Sequence, residues 1–279
     1  MRRVFSFVAG ISAKAYERDN FMTTKEKIIS FVWQHLLLLV SLYMMTLGVV
    51  LCVKSCLGSS VISSLPFVFS LAGATGAVPA WTIGGYTIAM NFVLVFCQII
   101  ILRKRFDPMQ LFQLVIGFVF GWLIDVNMFL TSGIECSGLL SQSLVQLAGC
   151  TVMGIGIAFE VRCGSVTMPG EGISIVVSQV THRPFAKVKI AVDTTLVCLA
   201  VAGCYIFFGS WQWNVIGIGT IFAMIYVGLY RRIWGGSTVY WLIFPDSGVI
   251  CSGWRGSYIV SAIARKDERL FDMPEIIGI

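Results

Sequence analysis

Asp193, a carboxylate inside an apolar run, is the residue of this chain best placed to do chemistry. It follows Pro184, where that run starts, by nine residues. At about 1.5 Å per residue on a helix, it lies some 13 Å deep. A carboxylate at such a depth costs about 2.5–3.5 kcal/mol on insertion scales, so residues of this kind face a polar interior and often mark a pathway. The plain alternative is neutralisation by Lys189, four residues earlier on the same helical face. The Lys189 stem also lets its charge snorkel towards water. Asn91 lies in another apolar run, with Thr87 four residues before it and Gln98 seven after, so the three form a polar stripe. The alternative for Asn91 is an interhelical hydrogen bond worth about 0.6–2 kcal/mol.

Glutamines and small residues form a second group. Gln110 and Gln113 share one helical face and are followed by Gly117 and Gly121; Gln212 is followed by Gly219 and Ala223. Small residues four apart let helix backbones approach, so Gly117, Gly121, Gly219 and Ala223 are expected at packing seams. Gln110 and Gln212 are either part of a solute site or part of those seams. Glu171 sits between glycines in the Pro169–Gly172 turn and is either a binding group or an ordinary loop carboxylate. Asp125 ends one apolar run, where solvation suffices, and Glu160 has Arg162 as a local partner.

Several chemistries find no support. There is no phosphate-binding glycine loop, HExxH or GxSxG pattern, so neither ATP hydrolysis nor a familiar hydrolase is expected. Nine cysteines and two histidines show no metal spacing. Most of the cysteines lie in apolar runs as small hydrophobes. No enzyme activity, metal or cofactor is expected.

The elements that carry these residues are membrane helices. Of 279 residues, 57% are hydrophobic and 12% charged, against about 25% charged in soluble domains. A water-soluble protein of this composition could not cover its surface with polar groups, so the lipid bilayer is the expected partner. An apolar helix needs about 20 residues to cross the hydrocarbon core. Six stretches qualify: 31–53, 81–102, 109–128, 141–160, 187–208 and 212–230. With the N-terminus inside, the cytoplasmic face receives six basic residues from the N-terminal tail and three from 103–105. The Arg162–Lys189 loop adds four and the C-terminal tail six, leaving only Lys54 outside. That partition follows the positive-inside rule and places both ends in the cytoplasm. The net charge of +6 thus belongs to loops facing anionic lipid, and no nucleic-acid partner is expected.

The runs repeat. Leu47-Gly48 matches Met153-Gly154, Lys54 matches Glu160 and Gly58-Ser59 matches Gly164-Ser165, all 106 residues apart. At an offset of 102, Asn91 falls on Asp193, Gln110 on Gln212 and Gly117 on Gly219. Three spans per repeat is an odd number, so the second half must be inverted, a recurrent design of secondary transporters. The expected fold is an all-α membrane protein with six spans in two inverted three-helix repeats. Residues 28–130 form the first and 139–232 the second, between basic cytoplasmic tails at 1–27 and 233–279. Each repeat holds a Gly/Ser-marked connection, Gly58–Leu71 and Gly164–Val180. Each connection reads either as a half-helix re-entering the membrane where it lines protein or as a helix lying in the interface.

The runs LGVVLCVKSCLGSSVISSLP (47–66) and FDPMQLFQLVIGFVFGWLID (106–125), with PGEG (169–172) followed by FAKVKIAVD (185–193), resemble the YitT/YczE-like family of bacterial membrane proteins. The resemblance covers roughly residues 27–232 and implies a six-span bacterial inner-membrane protein, but no substrate. Residues 1–21 look like an extension, and 235–279 match nothing in the pattern. The features together predict a small secondary transporter or exporter of an unidentified solute, with a site between Asn91 and Asp193. The alternative is a non-transporting accessory, scaffold or regulatory protein, and a homo-oligomer is compatible with either.

Overall fold

The computed structural model describes residues 24–235, apart from 104, 105, 107, 135, 164–166 and 184. Residues 1–23 and 236–279, most of the tails expected at 1–27 and 233–279, lie outside the described residues. Eight α-helices are described: α1 (Thr24–Lys54), α2 (Val61–Ala74), α3 (Ile83–Leu102), α4 (Phe112–Leu130), α5 (Leu139–Cys163), α6 (Pro169–Thr181), α7 (Phe185–Phe208) and α8 (Ile218–Gly235). A 3₁₀ turn, Pro108–Leu111, leads into α4. Stretches of α1, α3, α4, α5 and α7 are long and apolar enough to cross a membrane: Val32–Lys54, Ile83–Leu102, Phe112–Leu130, Leu139–Glu160 and Lys187–Phe208. Large apolar side chains such as Phe92, Phe96, Phe118, Trp122, Leu140, Leu144, Ile190 and Ile206 point outwards from these helices. Water would not tolerate so broad an apolar surface, and lipid covers it. The chain is a multi-pass integral membrane protein.

The deepest contact joins α1 to α5. Ser41 Oγ donates to the Gly156 carbonyl at 2.9 Å, and Ser55 Oγ donates to Gln146 Oε1 at 2.6 Å. Numbers rise along α1 as they fall along α5, so the two helices are antiparallel. Small residues make the crossing. A Cβ on Gly48 would stand 2.6 Å from the Gly149 carbonyl oxygen and from the Met153 Cβ. Around this pair, α4 packs on α1 and α8 on α5. Further out, α2 packs on α3 and α7, and α6 on α3 and α7. The α3–α4 seam is close, since a Cβ on Gly121 would lie 2.5 Å from Ile88 and 2.6 Å from the Gly84 carbonyl oxygen.

Local chemistry sets the helix ends. Thr82 caps α3, its Oγ1 accepting from Gly85 N at 3.0 Å. Asp125 completes the cap from α4, accepting from Gly84 N at 2.9 Å and Thr82 Oγ1 at 2.7 Å. Asp125 is therefore a capping group inside a helix that continues to Leu130, not a solvated end. Pro169 opens α6, where its missing N–H costs nothing. The sixth apolar stretch starts its helix at Ile218 rather than 212. Residues 211–217 instead form a coil in which Trp211 Nε1 donates to the Ile216 carbonyl at 2.9 Å and Val215 N to the Gln212 carbonyl at 3.1 Å. At the other end, α1 takes in Lys25 and Lys27, which the sequence reading gave to the tail.

Candidate functional site

The two shortest α-helices organise the interior. With 14 and 13 residues, α2 and α6 reach about 20 Å at 1.5 Å per residue, too short for a hydrocarbon core of about 30 Å. Their first turns are nevertheless buried: Val61, Ser63 and Ser64 in α2, and Pro169, Gly170, Glu171 and Gly172 in α6. The two N-termini approach each other, with Ile62 Cδ1 3.8 Å from where a Gly170 Cβ would sit. Ile62 also shares an apolar cluster with Ile173 of α6, Met90 and Leu94 of α3 and Leu196 of α7.

The α2 end is a closed hydrogen-bond network. Ser60 and Ser63 hydroxyls pair at 2.7 Å, and Ser64 Oγ donates to the Val61 carbonyl at 2.8 Å. Ser59 Oγ and Ser59 N both donate to the Val215 carbonyl at 2.9 Å. Gln146, on α5, ties the surrounding helices together by accepting from Ser55 Oγ and donating to the Gly219 carbonyl at 2.9 Å.

At the α6 end, buried glutamines of α3 and α4 meet the first turn. Gln98 Nε2 donates to Gln113 Oε1 at 3.1 Å and to the Pro169 carbonyl at 3.3 Å. Both glutamines crowd against Gly172, where a Cβ would lie 2.7 Å from Gln113 Oε1 and 3.0 Å from Gln98 Oε1. A side chain there would require both glutamine amides to shift. Gln98 is 0% exposed, and its Oε1 receives no hydrogen bond among the described residues. The Oε1 of Gln110, three residues before Gln113, is likewise buried and without a donor. Glu160 closes the turn from α5, its Oε1 accepting from Met168 N at 3.0 Å. Glu160 and Glu171 are 5% and 8% exposed. Among the described residues no group of three or more His, Cys, Asp or Glu could hold a metal.

The residues singled out in the sequence are placed differently from one another. Asn91 is buried and donates from Nδ2 to the Gly117 carbonyl at 3.3 Å, bridging α3 and α4. Thr87 bonds back to the Ile83 carbonyl of its own helix at 2.8 Å. Asp193 Oδ1 accepts from Lys189 Nζ at 2.7 Å within α7, each side chain 17% exposed. No described hydrogen bond joins Asn91 to Asp193. Gln212 lies on the coil before α8, with its Nε2 3.4 Å from Ser210 Oγ. Glu171 and Gln110 belong to the α6 end. Gly117 and Gly121 face α3, Gly219 faces Leu57 and Gln146, and Ala223 packs with Cys52 and Cys150. Gln146 was not singled out in the sequence, and Gln98 and Gln113 stood there only as companions of Asn91 and Gln110. Their signal was an amide inside an apolar run, the same signal that drew attention to Asn91.

The family described as "Family of unknown function (DUF6198)" matches residues 32–234. "Uncharacterized protein YyaS" of Bacillus subtilis (strain 168) is 25% identical over 195 residues, which cover 70% of this chain and 88% of that protein. No solved structure matches.

Proposed function

We propose a transport role for this chain, which belongs to the family of unknown function DUF6198. In this reading it is a small secondary transporter or exporter of a small solute, built from two inverted repeats with six spans in all. The observation that carries it is the meeting of two half-helix N-termini in the protein interior, Ile62 against Gly170. Broken helices ending at mid-membrane are how many secondary transporters build their sites.

The packing supports the repeat. Exchanging α1–α4 with α5–α8 turns α2 on α7 into α6 on α3, α4 on α1 into α8 on α5, and α2 on α3 into α6 on α7; each of these contacts exists. The α1–α5 contact maps onto itself, and an axis relating the halves must pass where counterparts meet. There Gly48 lies against Met153, the counterpart of Leu47. The close α3–α4 seam has no equally close α7–α8 counterpart among the described residues. Halves that exchange roles in alternating access differ in this way in any one state. The resemblance of 47–66, 106–125 and 169–193 to YitT/YczE-like proteins agrees with a bacterial inner-membrane location and cytoplasmic ends.

The test is accessibility. In a background without other cysteines, Ser63→Cys and Ser174→Cys, both buried here, are exposed in sealed vesicles to a membrane-impermeant maleimide from either side. Transport expects each position to be labelled from both faces. Labelling from neither face is the result of a dry scaffold and overturns the proposal.

A further inference from the structure

We propose that the pairing of residues 57–59 with residues 215–220 is the outer gate of the transport path, closed in this structure. The inference rests on the transport reading and names the part that must release for the interior to open on the Lys54 face. Residues 57–60 are a coil leading into α2, and 215–217 a coil leading into α8. Non-helical backbone at membrane depth must find its hydrogen bonds within the protein, and these two segments find them in each other. Ser59 N and Ser59 Oγ each donate to the Val215 carbonyl at 2.9 Å, and Thr220 Oγ1 donates to the same oxygen at 3.2 Å. Gly219 N returns a bond to the Leu57 carbonyl at 2.8 Å. Gly58, at φ 130°, permits the approach, since a Cβ there would stand 2.5 Å from Thr220 Oγ1. Ser59 and Val215 are both 0% exposed, so the pairing excludes water.

Position and chemistry both suit a gate. Val215 packs with Val68 of α2 and with Cys204, near the end of α7 that leads to Gly209. Trp213, two residues before Val215, is 65% exposed, as aromatic side chains at a membrane–water interface are. The pairing therefore lies just beneath that interface, next to the buried first turn of α2. Its contacts are backbone groups, hydroxyls and glycines rather than interlocked apolar side chains. Water entering an opened gate can take over each bond that breaks, an exchange that an apolar seam does not offer. The fastening also differs between the halves. Gly117 and Gly219 are equivalent at the offset of 102 in the proposed repeat. Gly219 joins the pairing through its N–H, whereas Gly117 meets Asn91 of α3. A transporter that closes one face at a time needs such a difference between its halves.

The reporter is Ser174→Cys on α6, in full-length protein without other cysteines, labelled in sealed vesicles by the impermeant maleimide. Ser59→Ala with Thr220→Val removes both side-chain donors to the Val215 carbonyl. It is expected to raise the labelling rate from the Lys54 face severalfold and to lower the rate from the opposite face. Ser59→Cys with Thr220→Cys instead directs two thiols at one carbonyl oxygen. Their disulfide, formed with copper phenanthroline and verified by mass spectrometry before labelling, is expected to abolish labelling from the Lys54 face. Labelling from the opposite face is expected to persist, and reduction of the pair to restore both. If Ser59→Ala with Thr220→Val does not fold, the disulfide pair gives the reading. A rate from the Lys54 face that neither change moves, or a change equal on both faces, overturns the gate. A pair that does not oxidise means that positions 59 and 220 do not meet, and overturns it as well. In these cases two-sided labelling of the parent leaves the transport reading standing. Labelling of the parent from neither face overturns both.

Discussion

Asp193 and Lys189 show how one residue pair absorbs a cost the bilayer would otherwise impose. Four residues apart on α7 and 2.7 Å apart in space, they neutralise each other where each is only partly exposed. Two consequences can be measured. Asp193→Asn leaves the Lys189 charge without its partner, and Lys189→Met does the same to Asp193, so each single variant is expected to melt below the parent. The double variant is expected to recover most of the loss, with a coupling of about 0.3–1 kcal/mol, the range of partly exposed pairs spaced four apart on a helix. Thermal melts of the four proteins in lipid nanodiscs close the cycle. Strictly additive losses would show that the pair carries no coupling. This intrahelical pairing was legible in the sequence beside the site reading, because spacing alone places position 189 over position 193. The partner of Gln98 was not legible. Pro169 lies 71 residues further along, and nothing local to α3 announces it.

At the scale of elements, hydropathy located the long helices and chain punctuation located the short ones. Gly58-Ser59 marks the entry to α2, and Pro169-Gly170 opens α6. The start of α8 was misplaced because Trp211–Gly217 is as apolar as a helix, while its hydrogen bonds belong to a coil. Asn91 and Asp193 share no described hydrogen bond, and the proposed repeat does not require one. Positions equivalent in a repeat are related by its axis, and equivalence brings them together only at the axis. In the proposed repeat the α1–α5 crossing would lie there, and it brings Cys52 and Cys150 to 3.9 Å between sulfurs. A disulfide needs about 2.05 Å, a small adjustment for two thiols on facing helices. Oxidation with copper phenanthroline, in a variant lacking the other cysteines, is therefore expected to join the halves. After cleavage at a protease site engineered between 131 and 138, the protein should run at full length without reductant and as two fragments with it. Two fragments under both conditions would mean that α1 and α5 do not cross at Gly48 and Gly149.

For the whole molecule, the antiparallel α1–α5 contact constrains the path of everything between them. Suppose α3 and α4 each cross the bilayer. If α2 crossed as well, three crossings would separate α1 from α5, and the two helices would run parallel. They run antiparallel, so α2 must enter and return on one side. Gln146 bonds Gly219 and Thr151 bonds Tyr226, so α5 and α8 run parallel, and α6 is re-entrant if α7 and α8 each cross. The side is proposed from charge: in the topology expected from the sequence, 19 of 20 Lys and Arg lie on the face of the N-terminus, which the positive-inside rule would make cytoplasmic. A reporter active only outside the cytoplasm is therefore expected to work when fused after Gly76, Ser137 or Gly209, and to be silent after Arg103 or His182. The Gly76 fusion decides most. It lies in the exposed turn between α2 and α3, where an added side chain would meet nothing within 4 Å. A spanning α2 would carry that turn to the cytoplasm and silence the reporter, whereas a re-entrant α2 returns it to the outer face beside Lys54. Silence at Gly76 and Ser137 with activity at Arg103 would make α2 a true span. The two half-helices would then no longer end together inside the bilayer, and the transport reading would lose the observation that carries it.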